Sequence, residues 1–135
     1  MKKRILALML LTLCLLPLLV ACKSEPTEEE IALAGKTFCH DRSLSGGILF
    51  SIVLSEDGTF RYSENLATPS VKKGSWTAKD GVLTLYEDKT DKDEARTFSF
   101  AVEETRILYI AKDSDDFRKT TVEDGDTFSL LQNLE

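Results

Sequence analysis

Three stretches of the chain set out side chains that could do chemistry. Cys39-His40-Asp41 places a nucleophile, a base and an orienting acid in succession. Neighbouring residues of a strand point to opposite faces, so the Cys39 thiol and the His40 imidazole cannot meet in a regular strand. Catalytic Cys–His pairs are brought together by the fold from distant positions, and His40 is the only histidine in the chain. The triplet therefore reads as a buried thiol beside an exposed imidazole. Ser70-Val71-Lys72-Lys73 has the Ser-x-x-Lys spacing of an activated serine, but no Ser-Asp-Asn or Lys-Thr-Gly element accompanies it. It reads as a loop entering the strand that holds Trp76.

Acidic loops raise the question of calcium. Asp88, Asp91, Asp93 and Glu94 form one cluster, and Asp113, Asp115 and Asp116 form another. A calcium loop needs ligands at alternate positions, a glycine at the sixth and a closing glutamate. Neither cluster has that spacing, and solvated turns are the expected reading. Zinc would have one histidine and one spare cysteine to use. The sequence assigns no catalytic residue, no metal ligand and no cofactor, and an enzyme is not expected.

Charge narrows the partners. The 135-residue chain has a formal charge of −6, which becomes −9 without residues 1–21, because Lys2, Lys3 and Arg4 lie there. A surface this acidic does not suit nucleic acid, and it is repelled by anionic lipid headgroups. Membrane association must then come from an anchor. Met1-Lys2-Lys3-Arg4 is a basic start, and the run from Ile5 to Val20 is almost wholly apolar, which is the build of a secretory signal peptide. The run closes on Leu19-Val20-Ala21-Cys22, which resembles the lipobox of bacterial lipoproteins. The resemblance implies cleavage between Ala21 and Cys22, acylation of the Cys22 sulfur, and a location on the extracytoplasmic side of the cell membrane. Two acyl chains hold stably where one does not, at ~0.8 kcal/mol per buried CH₂. Cys14 would leave with the signal peptide and Cys22 would carry lipid, so Cys39 alone remains and no intrachain disulfide is possible.

The organisation expected is a signal peptide over 1–21, a tether over 22–27, and one β domain with a leading short helix over 28–135. Thr27-Glu28-Glu29-Glu30 is a capping box for a helix of about two turns, and Gly35 is a natural stop. Short runs rich in β-branched and aromatic residues then alternate with Asp-Gly and acidic turns. Strands are expected over 36–40, 48–55, 59–63, 73–78, 82–87, 96–102, 106–111, 117–122 and 127–131. Eight or nine strands without long helices imply an antiparallel meander, closed as a barrel or folded as a sandwich. The aromatics Phe50, Phe60, Tyr62, Trp76, Phe98, Phe100 and Tyr109 would fill a small barrel rather than line a pocket.

Gly74-Ser75-Trp76, Asp80-Gly81, Leu83 and Leu85, Phe98 and Phe100, Leu108, Asp124-Gly125 and Phe128 follow an order similar to that of small lipocalin-like domains of bacterial lipoproteins. The family implies a binding or structural role and no catalytic residues. In that family a Gly-x-Trp strand and an Asp-Gly turn precede a Leu-x-Leu strand; true lipocalins instead carry Gly-x-Trp on the first strand, whereas here Gly35 is followed by Phe38. The expected function is a membrane-anchored, non-catalytic binding or structural module for a small-molecule or protein ligand. The alternative is a surface-displayed interaction module such as an inhibitor or immunity factor.

Overall fold

The computed structural model describes residues 25–42, 50–64 and 71–131. The stretch expected to act as a signal peptide and cleavage site, with Ala21 and Cys22, lies outside the described residues, as do Ser70 and the start of the strand expected over 48–55. No described helix is long and apolar enough to cross a membrane.

Helix α1 (Glu28–Leu33) begins at the capping box: Thr27 Oγ1 accepts from the Glu30 amide at 3.1 Å, and the Glu30 carboxylate accepts from the Thr27 amide at 3.3 Å. Gly35, at φ +79°, turns the chain out of it. Eight strands follow: β1 (Thr37–His40), β2 (Ser51–Leu54), β3 (Thr59–Ser63), β4 (Lys72–Lys79), β5 (Val82–Glu87), β6 (Thr97–Val102), β7 (Arg106–Tyr109) and β8 (Thr127–Leu130). Each pairs antiparallel with the next, and β1 pairs with β8 through Phe38↔Leu130, Cys39↔Ser129 and His40↔Phe128. The architecture is a closed, small lipocalin-like barrel preceded by the short helix α1.

Alternation along the strands sends one set of side chains inward. Phe60 and Tyr62, Trp76 and Ala78, Leu83 and Leu85, and Phe98 and Phe100 are all buried. Gly74 makes room for them: a Cβ there would lie 1.9 Å from the Tyr86 carbonyl oxygen and 2.8 Å from Phe60 Cε1. The glycine of Gly74-Ser75-Trp76 is thus set by a backbone approach and a ring laid against the sheet.

The two ends of the barrel differ. At one end the register of β4 with β3 stops at Ser75, while β4 pairs with β5 as far as Lys79. Ala78 would be left with polar backbone on an open edge, and α1 covers it. Thr27 Oγ1 donates to the Ala78 carbonyl at 2.8 Å, and Glu30 Oε1 accepts from the Ala78 amide at 3.3 Å. Leu33 joins the core from the same helix.

At the opposite end, the connection from β7 to β8 runs over 110–126. The expected strand over 106–111 ends at Tyr109, and a 3₁₀ turn follows at Ala111–Asp113. The strand expected over 117–122 does not form. Closure of β1 on β8 leaves no edge for a ninth strand, so the β-branched run Thr120-Thr121-Val122 has no ladder to join. Instead Phe117 turns into the barrel.

Candidate barrel-mouth site

The mouth is built by extending the inward registers of β3 and β5 by one step. Tyr62 and Glu64 follow Phe60 on one, and Glu87 follows Leu83 and Leu85 on the other. The pattern that fills the core with apolar side chains therefore delivers a phenol and two carboxylates to its upper rim.

Arg118 meets them from the β7–β8 connection. Its Nη1 donates to Glu87 Oε1 at 2.6 Å and to Tyr62 Oη at 3.2 Å, and its Nη2 donates to the Glu94 carbonyl at 3.3 Å. Nε lies 3.4 Å from Asp93 Oδ1. Asp93 is shared with Lys72 Nζ at 2.8 Å. Tyr62 Oη donates to Glu87 Oε2 at 2.9 Å, so both oxygens of a carboxylate whose side chain is 1 % exposed are engaged. Glu64 Oε1 accepts from the amides of Lys119 and Thr120 at 2.9 and 2.8 Å, fixing the backbone beside Arg118. No buried side-chain polar atom among the described residues lacks a partner.

Beneath this polar layer lies Phe117, stacked on Phe98 with ring centroids 4.1 Å apart and edge-on to Phe50 at 4.9 Å. Such pairs add about 0.5–1.5 kcal/mol each beyond area burial. The aromatics expected to fill the barrel do so, and Phe117 completes them from outside the sheet.

The electrostatics follow from this geometry. Burial, then the adjacent Glu87 charge, pushes the Tyr62 phenol far above its ordinary range, so it remains a hydrogen-bond donor. Partial burial works against the Arg118 charge, but the hydrogen bond and charge of Glu87 outweigh it and hold the guanidinium protonated. The hydrogen bond from Lys72 holds the Asp93 carboxyl below the usual range.

The Cys39-His40-Asp41 triplet does not assemble. Cys39 and His40 are on opposite faces of β1, as expected, but both are buried, at 1 % and 2 % exposure. The expectation of an exposed imidazole is corrected. His40 shares the inward register of Phe38, lies 4.8 Å from the Phe128 ring, and places Nε2 3.4 Å from Asp126 Oδ2. Burial raises the Cys39 thiol pKa, making it a poor nucleophile. Partial burial would raise Asp41, but hydrogen bonds from Ser129 and Thr127 prevail and lower it.

The acidic clusters divide. Asp93 enters the mouth, and Asp115 Oδ2 accepts from the Thr97 amide at 2.8 Å, whereas the Glu94 carboxylate forms an exposed pair with Lys89 at 3.8 Å. Among the described residues no three His, Cys, Asp or Glu side chains converge as a metal-holding group.

Sequence reasoning missed Arg118, Glu87, Glu64 and Lys72 as a group. The usable signal was the period-two register, which carries Glu64 and Glu87 inward past the last apolar residue of each strand. No family model matches this chain, and neither a curated protein nor a solved structure does.

Proposed function

We propose that this chain is a lipid-tethered bacterial surface module, cleaved after Ala21, acylated on Cys22 and held on the extracytoplasmic side of the cell membrane. It binds rather than catalyses, and it reads its ligand at the barrel mouth. The observation that carries the binding reading is the contrast between the two levels of the barrel. The interior is filled with rings, whereas the mouth gathers Tyr62, Lys72, Glu87, Asp93 and Arg118 in one network, with Glu64 holding the backbone beside it. A filled interior does not suit a long apolar guest, so the ligand is a compact polar group or a side chain. The non-catalytic reading has support from the same groups: Glu87 is neutralised by Arg118 and Tyr62 is held protonated, so neither acts as a base.

Two measurements test this. Metabolic labelling with an alkyne fatty acid should mark the wild-type chain and not Cys22→Ala; label on the variant counts against the tether. Native mass spectrometry of protein released from its host membranes should show a bound species that Glu87→Gln loses. A bound species cross-linked only to the outer wall would favour the alternative, a surface-displayed inhibitor or immunity-type module. One feature favours that alternative: a groove between α1 and the β2–β3 turn, where Ile31 is 65 % exposed beside Glu56 and Asp57.

A further inference from the structure

We infer that the mouth is a receptor for a guanidinium group carried next to an aromatic ring, and that Phe117-Arg118 is the chain's own occupant of it. The inference rests on the mouth being the binding site and names the chemistry it accepts. The receptor is complete without these two residues. Strands β3 and β5 and the β5–β6 connection supply Tyr62 Oη, Glu87 Oε1, Asp93 Oδ1 and the Glu94 carbonyl, with Glu87 Oε2 accepting from the Tyr62 hydroxyl that it orients, while Phe50 and Phe98 wall the slot below. These acceptors surround all three nitrogens of a planar guanidinium, an array that an ammonium point charge cannot satisfy in the same way.

The occupant sits on a segment of a different character. Phe117 and Arg118 belong to the connection over 110–126, whose regular structure is confined to the 3₁₀ turn Ala111–Asp113, and connections longer than ~12–15 residues are uncommon in compact domains and often functional. Behind Phe117 the segment is tied to the barrel wall, where Tyr109 Oη donates to the Asp115 carbonyl at 2.7 Å and the Ser99 amide donates to Ser114 Oγ at 2.7 Å. Ahead of Arg118, two amides bind Glu64 Oε1. Expelling Arg118 with nothing in its place would strand the Glu87 carboxylate in a buried position. An incoming guanidinium removes that penalty, because charge replaces charge and ring replaces ring. The internal pair therefore excludes other chemistries and yields to its own kind.

The test uses the full chain in detergent with Phe117→Ala/Arg118→Ala, titrated with phenylalanyl-arginine amide and, in a separate arm, with benzylguanidine. The isosteric control is phenylalanyl-citrulline amide, which keeps the shape and removes the charge. The double variant should bind at least one guanidinium probe ten-fold or more tightly than the citrulline control, and ten-fold or more tightly than wild type does, because wild type competes internally. Which arm binds tighter distinguishes a peptide source from a small-molecule source. If the double variant does not fold, hydrogen exchange on wild type decides: millimolar guanidinium probe should speed exchange of the Lys119 and Thr120 amides, and the citrulline control should not. Equal response to probe and control, or no response in a folded variant, overturns the inference. Binding that tracks shape alone but still footprints on Tyr62 and Glu94 overturns the guanidinium assignment and leaves the mouth as the site. A footprint on the outer wall overturns both.

Discussion

Arg118 Nη1 lies 2.6 Å from Glu87 Oε1, joining the β7–β8 connection to the end of β5 across the barrel mouth. The carboxylate side chain is 1 % exposed and the guanidinium side chain 15 %. Removing one partner of such a pair leaves the other uncompensated, which costs about 3–5 kcal/mol when burial is complete. Access of water to Arg118 sets the expectation at the lower end.

Arg118→Ala should therefore destabilise the domain by about 3 kcal/mol, lowering Tm by roughly 10 °C or more. Glu87→Gln should cost less, because the amide oxygen can still accept from Arg118 while its NH2 donates to Tyr62 Oη in place of the bond that the carboxylate accepted. The combined variant should lose less than the two single losses added, with a coupling of about 1–3 kcal/mol by chemical denaturation. Strict additivity would mean that the two groups are not energetically joined.

Gly74→Ala tests why a glycine precedes Trp76. The new methyl would meet the Tyr86 carbonyl oxygen at 1.9 Å, and that oxygen belongs to a paired strand that cannot retreat alone. The expected loss is about 3 kcal/mol or more, at the upper end of overpacking costs. Phe60→Leu relieves the contact at 2.8 Å but not the backbone one, so it should not restore stability. Recovery in that double variant would place the constraint on the ring instead.

Thr27 serves the helix and the barrel together. Its hydroxyl caps Glu30 and donates to the Ala78 carbonyl, so Thr27→Ala removes both interactions. A lost cap costs about 1 kcal/mol and a lost hydrogen bond about another, giving roughly 2 kcal/mol in a urea titration. Thr27→Ser should recover most of it. Equal stability of the Ala and Ser variants would show that neither bond contributes.

The elements that local chemistry specifies were legible in the sequence. Thr27 to Glu30 marked the cap, the Asp-Gly pairs marked the turns, and the apolar residues Phe98, Phe100 and Val102 at every second position marked a strand, of which Phe98 and Phe100 are fully buried. Closure was not legible, because it depends on β1 meeting β8 and no local signal reports that. The same gap produced the expected ninth strand: 117–122 has strand-like composition, and only the absence of an open edge rules it out. Arg118 and Glu87 are far apart in sequence and meet through the fold alone. His40 departs from expectation because both faces of β1 are covered: a buried Cys39 on one face implies an exposed neighbour only where the other face meets solvent, and here His40 shares the inward register of Phe38.

Tyr62 gives the barrel a predictable response to alkali. Burial, and then the Glu87 charge, raise the phenol far above its ordinary value of about 10 in the folded state. Between those two values the unfolded chain has lost a proton that the folded chain keeps. The stabilisation is therefore fully present below about pH 10 and declines as pH rises beyond it toward the folded value. The slope from one such group is at most about 1.4 kcal/mol per pH unit, and solvent at the mouth lowers it. Tyr62→Phe removes the titrating group, so its stability should be lower than wild type at pH 8 yet fall less steeply from pH 10 to 11. The difference in phenolate absorbance between wild type and Tyr62→Phe should stay small until the chain unfolds. Parallel slopes for the two proteins, or Tyr62 phenolate forming in the folded barrel near pH 10, would mean that the mouth does not hold this proton.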